Sequence, residues 1–200
     1  MFVTALAAAV ITAAPGPLAL VKLADADVQK VLAKDATIER LATAAEGYID
    51  FVELAKRALG KKEWDKLDKK KQEEFSATMK GLLRASYAQK ALGDSKNGAT
   101  FEFASEEIQG NEATVKSTLV VKADRFPVTY KLYRADAKAG WRIYDVVTDD
   151  VSLVSTYADQ FRKMIANKGF EGLLASLKSK RDQLEKAPVG EAGGPGSAAK

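Results

Sequence analysis

The sequence has neither cysteine nor histidine among its 200 residues. The absence of both excludes a zinc site built on either residue, a thiol nucleophile, a disulfide framework and an imidazole general base. A serine nucleophile that lacks histidine usually takes its base from a Ser-x-x-Lys turn. That spacing occurs once, at Ser197 and Lys200 near the chain end, and the glycine-rich phosphate loops Gly-x-Gly-x-x-Gly and Gly-x-x-x-x-Gly-Lys are absent. No cofactor, metal site or enzymatic activity is therefore expected.

Positive charge is in small excess, with 31 Lys and Arg against 27 Asp and Glu and a net charge of +4. An excess of this size favours only weak attraction to anionic surfaces. The basic residues are not interleaved with a platform of stacking aromatic side chains, so no nucleic-acid partner is expected. With 46% apolar and 29% charged residues the composition is that of a globular protein, and the length predicts one domain.

The two ends of the chain differ from its middle. The chain starts with an almost unbroken apolar run whose helical part, about 13 residues, is too short to span a bilayer. We predict a signal peptide over residues 1–19, with cleavage after Ala19 or as late as Ala26; the usual basic start is missing, and an uncleaved membrane anchor is the alternative. A single domain is expected over residues 27–186. Residues 187–200, rich in glycine and proline, predict a disordered tail.

Three amphipathic helices are predicted in the first half of the chain. Apolar residues recur every three or four positions over residues 27–45, which predicts one helix with a core-facing stripe. A second, short helix covers residues 51–59, and Gly60 supplies the left-handed residue that ends it. A third helix is expected from about residue 68 to residue 93.

The apolar period changes from 3.6 to 2 after Gly98, which predicts strands. Four are expected, near residues 100–105, 114–122, 126–132 and 141–147. Their short connections require antiparallel pairing. The helical period returns at Val151, and a last helix follows Gly169. The predicted class is α+β: N-terminal helices, a curved four-stranded antiparallel sheet, and C-terminal helices packed on its apolar face.

Asp145 lies in the last predicted strand. If Trp141, Ile143 and Val147 face the core, alternation places Asp145 on the same covered face. A buried carboxylate costs several kcal/mol unless it is paired. The sequence leaves two roles open for Asp145: a salt bridge or backbone cap, or a polar group at the bottom of a ligand cleft.

A group of lysines surrounds the start of the third predicted helix. It comprises Lys61, Lys62, Lys69, Lys70 and Lys71. The last three occupy the first helical turn, where positive charge is unfavourable for the helix dipole. The group is either a solvated face or a docking surface for an anionic partner or lipid headgroups.

Two stretches carry the pattern of a known family. The first comprises Trp141, the Tyr144-Asp145-Val146 run, Val151-Ser152-Leu153, Tyr157, Phe161, Gly169 and Gly172-Leu173-Leu174. The second comprises Leu59-Gly60, Trp64, Gln72, Phe75, Leu82, Leu83 and Tyr87. In order and spacing, residues 48–178 closely resemble the MlaC family of bacterial periplasmic phospholipid-transport proteins, also described as toluene-tolerance auxiliary components of ABC transporters. Asp150 stands where that family commonly has glycine, so the resemblance does not carry over a tight left-handed turn there.

The resemblance implies an NTF2-like cone and a periplasmic carrier. Such a monomer would take the acyl chains of one phospholipid into a cleft between sheet and helices. It would shuttle the lipid between an outer-membrane lipoprotein complex and an inner-membrane ABC transporter that bears an MCE-domain protein. A 16-carbon chain exposed to water costs about 13 kcal/mol at about 0.8 kcal/mol per methylene, so a carrier must hide it in a dry cleft.

The candidate lining residues are those on predicted inward faces. They are Leu83, Tyr87, Leu119, Val121, Tyr130, Leu132, Ile143, Val147, Val151, Val154 and Phe161. Two other classes of function stay open. One is a small-molecule binder or enzyme on a related cone-shaped sheet, with Asp145 as its polar group. The other is a scaffold that docks proteins through the lysine group.

Overall fold

The computed structural model describes residues 14–34, 37–95 and 98–186, with the backbone alone for Ile38 and residues 88–95. The predicted disordered tail and the first thirteen residues of the predicted signal peptide lie outside the described residues. Helices precede and follow a run of strands, so the predicted α+β class is confirmed. Within the described residues, no helix is both long enough and apolar enough to cross a membrane.

Six helices lie in the described part of the chain: α1 (Pro17–Lys34), α2 (Ile38–Glu46), α3 (Phe51–Leu59), α4 (Lys61–Trp64), α5 (Lys69–Ser95) and α6 (Leu153–Lys186). The single helix expected over residues 27–45 is therefore two helices. The new start has a local cause, because the side-chain oxygen of Thr37 accepts a hydrogen bond from the backbone N–H of Arg40 (3.3 Å) and caps α2.

The ends of α3 and the middle of α6 follow the sequence expectation. The Asp50 carboxylate accepts hydrogen bonds from the backbone N–H groups of Val52 (3.0 Å) and Glu53 (2.9 Å), which starts α3. Gly60 ends it with a φ of 84°. Gly169 interrupts α6 with non-helical dihedral angles (φ 67°, ψ 179°), at the point where a new helix is expected.

The sheet has five strands rather than the four expected: β1 (Thr100–Gln109), β2 (Glu112–Val121), β3 (Asp124–Tyr133), β4 (Arg142–Thr148) and β5 (Val151–Ser152). They pair antiparallel in chain order and leave the sheet open. The sequence misses β5 because two residues are too few to display a period, and Val151 also continues the stripe of the following helix.

A β-bulge in β4 breaks the alternation on which the placement of Asp145 was based. Leu132 pairs with Ile143, whereas its neighbour Lys131 pairs with Asp145, so Tyr144 is the extra residue. Paired residues share a face, and the bulge therefore puts Asp145 on the side of Lys131, opposite to Ile143. Val147 pairs with Thr129 and lies on that side too. The expectation that Ile143, Asp145 and Val147 share one face is wrong.

The β4–β5 connection is a tight left-handed turn in spite of lacking glycine. Asp149 (φ 50°) and Asp150 (φ 61°) both adopt positive φ. This is the two-residue hairpin geometry for which Asp-Gly and Asn-Gly are favoured. The turn that the family resemblance did not carry over is present, and Asp150 adopts the strained conformation.

Two apolar clusters form the interior. The helical cluster joins α3, α4, α5 and α6 around fully buried residues such as Phe75, Met79, Phe161 and Leu173. Phe161 packs edge-to-face on Phe75, with ring centroids 5.7 Å apart. α6 packs mainly against α3 and α5 and contacts the sheet mainly at β4 and β5. The C-terminal helix thus covers one border of the sheet rather than its apolar face.

The second cluster, the α1–sheet cluster, closes the apolar face with the first helix. Leu20 and Val21 of α1 pack against Val115, Leu132 and Ile143. The start of α1 is held at the sheet border, because the backbone N–H of Leu18 donates a hydrogen bond to Glu106 Oε2 of β1 (2.7 Å). The element that covers the sheet is therefore α1.

The strained turn predicts a stabilising substitution. Asp150→Gly removes the Cβ that makes the left-handed conformation costly, so we expect unfolding free energy to rise by about 0.5–1 kcal/mol. Asp150→Ala keeps the Cβ and is the matched control, which should not stabilise. Urea unfolding of the three proteins measures the difference. Equal stability of the Gly and Ala variants would show that the backbone conformation is not the source.

Candidate functional site

Half-buried apolar side chains continue the covered face of the sheet beyond the α1–sheet cluster. We call them the apolar sheet patch; it comprises Phe101, Phe103, Leu119, Val121, Phe126 and Tyr130. The strand register builds it: Leu119 of β2 pairs with Phe101 of β1 on one side and with Phe126 of β3 on the other. The rings of Phe101 and Phe103 stack with centroids 6.2 Å apart, and Tyr130 lies 6.4 Å from Phe101.

The second half of α1 offers matching apolar residues. Val28, Val31 and Leu32 are half-buried, although the two clusters described above do not include them. A groove of about 370 Å³ runs between α1 and α2, lined by Val31, Glu39, Arg40, Thr43 and Ala44. Apolar side chains that are neither packed into a core nor fully solvated are typical of the walls of a ligand site.

Three polar side chains, Asp25, Tyr130 and Ser117, lie where α1 meets the apolar sheet patch. Burial raises the pKa of the Asp25 carboxyl, which accepts a hydrogen bond from the side-chain amide of Gln29 (3.3 Å). Tyr130 faces Asp25 from the sheet, and burial together with the charge of Asp25 raises the pKa of the Tyr130 phenol. The Ser117 hydroxyl, hydrogen-bonded to the Val128 carbonyl oxygen (3.1 Å), also lies in contact with Tyr130. These groups form a polar strip within an otherwise apolar surface.

Asp145 is 2% exposed and is fully engaged by its neighbours. Its Oδ2 accepts a hydrogen bond from the Ser152 hydroxyl (2.7 Å), and its Oδ1 accepts one from the backbone N–H of Val154 (3.0 Å). Lys131 Nζ lies 3.5 Å from Oδ2. These contacts are those of a backbone cap at the start of α6 combined with a salt bridge.

Tyr87 lies close to Asp145 and to Tyr157. Burial raises the pKa of Tyr157 to about 12. The pKa of Tyr87 is raised as well, mainly by burial and further by Tyr157 and the Asp145 charge. Both phenols therefore stay protonated at neutral pH, which makes them hydrogen-bonding groups rather than bases. Within the described residues, no group of three acidic side chains is placed to hold a metal ion.

The structure distributes the eleven candidate lining residues over several places. Leu119, Val121 and Tyr130 meet in the apolar sheet patch, and Leu132 and Ile143 lie beneath α1 in the α1–sheet cluster. The remaining six lie elsewhere: Leu83 and Phe161 inside the helical cluster, Val154 against it, Val147 on the other face of β4, and Tyr87 and Val151 at 37% and 61% exposure.

Three aromatic residues of the patch were missed by the sequence reasoning. Phe101, Phe103 and Phe126 lie at alternating positions of predicted strands, so alternation alone predicts that they face inward. What the sequence does not contain is the cross-strand register that aligns Phe101 and Phe126 with Leu119.

The predicted lysine surface is partly neutralised. Lys61 Nζ lies 2.5 Å from Asp65 Oδ2, Lys69 Nζ lies 3.9 Å from Glu73 Oε1, and Lys71 pairs with Glu171 of α6. Lys62 and Lys70 are exposed. Ion pairing lowers the field that this face presents to a partner.

These features define a class: an α+β protein in which a helix closes part of the apolar face of an open antiparallel sheet and leaves the rest half-exposed. The model of the family described as MlaC protein matches residues 19–179. The chain therefore belongs to the MlaC family, as its sequence resemblance indicated.

A solved structure shares the fold. It is described as the phospholipid-binding protein from Ralstonia solanacearum in complex with a phospholipid. The two proteins are 22% identical; the match covers 86% of this chain and all of the other, with a TM-score of 0.76. The similarity establishes a common architecture.

The Asp145 contacts predict a structural phenotype. Asp145→Ala leaves the Val154 N–H and the Ser152 hydroxyl without their acceptor, so unfolding free energy should fall by about 2 kcal/mol. Asp145→Asn keeps one carbonyl oxygen and should lose less. Urea unfolding measures both. Loss of bound ligand in either variant at unchanged stability would instead assign Asp145 to a binding or reactive site.

The raised pKa of Asp25 predicts a pH-dependent stability. The folded state holds the Asp25 proton more tightly than the unfolded chain, whose pKa is near the ordinary value of 3.8. Stability contributed by this group therefore falls as the pH rises from 3.8 through the folded pKa, and it stays reduced above it. Asp25→Asn should melt at a higher temperature than the parent at neutral pH, with the difference shrinking on acidification.

Asp27 provides the opposite control on the same helix. Hydrogen bonds from Lys30 (2.8 Å) and the Tyr48 hydroxyl (2.5 Å) lower the pKa of Asp27. Asp27→Asn should therefore lower the melting temperature at neutral pH, and its effect should also fade as the pH falls. Thermal melts of both variants over a pH series test the pair. Shifts of the same sign would contradict the assignment.

Proposed function

We propose that this chain is a phospholipid carrier that buries acyl chains between the apolar sheet patch and the helices. The observation that carries the proposal is the cross-strand row of Phe101, Leu119 and Phe126, which is apolar, half-buried and continuous with the face that α1 covers. The row crosses three adjacent strands, about 10 Å, which gives an acyl chain an apolar floor beside the part that α1 covers. Membership of the MlaC family and the phospholipid complex of the structural neighbour support the same ligand.

The free energy of burial favours this use of the patch. A 16-carbon chain gains about 13 kcal/mol on leaving water, at about 0.8 kcal/mol per methylene. An apolar surface is enough to provide this burial free energy, and no base, thiol or metal is needed. The chain, with no cysteine and no histidine, is suited to binding of this kind rather than to catalysis.

The family resemblance supports a cellular role for the carrier. We propose a periplasmic monomer in an NTF2-like cone without cofactor, exported by a signal peptide that ends at Ala19. Cleavage as late as Ala26 would remove Leu20 and Val21, which cover the sheet. The carrier would shuttle phospholipid between an outer-membrane lipoprotein complex and an inner-membrane ABC transporter with an MCE-domain protein. Membership of the MlaC family supports this role.

The alternatives have less support. An enzyme or small-molecule site on Asp145 needs a free carboxylate oxygen, whereas Ser152, Val154 and Lys131 already contact both oxygens. A protein-docking scaffold on the lysine group needs an unscreened positive field, whereas Lys61 and two residues of the α5 start have acidic neighbours.

The proposal predicts opposite results for two adjacent residues of β2. Leu119→Glu places a carboxylate on the acyl-binding face, whose desolvation costs several kcal/mol, so bound phospholipid should fall more than tenfold. Val120→Glu is the matched control, because Val120 is equally half-buried but points to the other face of the strand. Its lipid content should stay within twofold of the parent.

Native mass spectrometry of the purified proteins, and uptake from phospholipid vesicles, measure the lipid content per chain. Circular dichroism checks that both variants are folded. Equal loading of the two variants would overturn the location of the site. An unmodified protein that carries no lipid and takes up none from vesicles would overturn the carrier function itself.

A further inference from the structure

An ion cluster joins the end of α2 to the middle of α5. Glu46 is the last residue of α2, and its Oε2 lies 2.8 Å from Lys80 Nζ of α5. One turn further along α5, Arg84 Nη1 lies 3.9 Å from the other oxygen, Glu46 Oε1. The cluster combines two positive charges with one negative charge and therefore retains a net charge of +1.

Glu46 forms a close ion pair with Lys80 but no hydrogen bond with Arg84. Its Oε1 is buried and makes no hydrogen bond within the described residues. The distance of 3.9 Å to Arg84 is too long for one. A buried carboxylate oxygen without a hydrogen bond is costly. The carboxylate side chain is 20% exposed, whereas Lys80 and Arg84 are 43% and 38% exposed, so an anion from solvent has access to the bases.

The cluster lies beside the groove between α1 and α2. Thr43 and Ala44, which line that groove, are within one helical turn of Glu46. Val31 of α1 lines the same groove, so the two bases lie near an apolar wall of the candidate site.

We propose that Lys80 and Arg84 form a subsite for the phosphate of a bound phospholipid, with Glu46 as the internal anion that the phosphate displaces. The inference rests on the proposed carrier function and adds a headgroup contact to it. A phosphodiester carries one negative charge and several acceptor oxygens, so it can contact both cations at once, which Glu46 does not. Displaced Glu46 would no longer tie α2 to α5, so binding of the headgroup loosens this contact.

Ligands that share acyl chains but differ in phosphate test the subsite. Loading of the full chain is measured by native mass spectrometry with dioleoylphosphatidylglycerol vesicles and, separately, with a dioleoylglycerol emulsion. The double variant Lys80→Gln/Arg84→Gln should load phosphatidylglycerol about tenfold less and dioleoylglycerol as well as the parent. Glu46→Gln should load phosphatidylglycerol more, because it removes the competing charge.

The matched control is Lys69→Gln/Lys70→Gln, which removes the same charge from the first turn of the same helix. It should leave both loadings unchanged. Equal loss of both ligands in the Lys80/Arg84 variant, or an equal effect of the control, would overturn the subsite and leave the carrier function standing. Failure of the unmodified chain to load either ligand would overturn the carrier function instead.

Inorganic phosphate distinguishes the source of the anion. Added alone, it should shift the melting temperature of the unmodified protein much less than phosphatidylglycerol does, because the acyl chains supply most of the binding free energy. A shift by inorganic phosphate equal to that by the lipid, and lost in Lys80→Gln/Arg84→Gln, would assign the cations to free phosphate and overturn the headgroup assignment.

Discussion

The packing of α1 on the apolar face of the sheet is the contact on which the rest of the architecture depends. An open antiparallel sheet with one apolar face must bury that face against another element. Leu20 and Val21 do so over Val115, Leu132 and Ile143, and this part of the face becomes solid core. Where those contacts end, Phe101, Leu119 and Phe126 stay half-buried. The structural core and the candidate binding surface are thus two parts of one sheet face, and the boundary between them is where the contacts of α1 end.

Strand β4, next to the short edge strand β5, connects the sheet to the helical half of the molecule. The end of β4 pairs with β5, which leads directly into α6. Near its start, the N–H of Ile143 donates a hydrogen bond to the Tyr48 carbonyl oxygen (2.9 Å), and the Ile143 carbonyl oxygen accepts one from the N–H of Asp50 (2.8 Å). The segments that precede α3 and α6 are therefore both hydrogen-bonded to β4. Asp145 belongs to that arrangement, because its contacts with Ser152 and Val154 hold the first turn of α6 in place. A buried acid that suggests chemistry in the sequence has a sufficient structural reason to be there.

The candidate site has the physical properties that binding of apolar chains requires. Its walls are aromatic and aliphatic, and its polar groups near the patch are an acid with a raised pKa and a phenol that stays protonated. Binding by apolar area selects for chain length more than for chemical identity, since each methylene contributes a similar free energy.

Much of this protein is determined by short-range pattern. The α+β order, the stop of α3 at Gly60 and the break at Gly169 follow from short-range spacing, because helix and strand periods and glycine conformations are local properties. The family is indicated by the order of residues along most of the chain. The tertiary structure alone decided the rest. The bulge at Tyr144 moved Asp145 and Val147 to the other face, the two-residue β5 formed only because β4 offers it a partner, and α1 rather than α6 covered the sheet. These outcomes depend on strand register and on which of several distant elements packs on one apolar face. Neither is visible in the periodic pattern of a single segment.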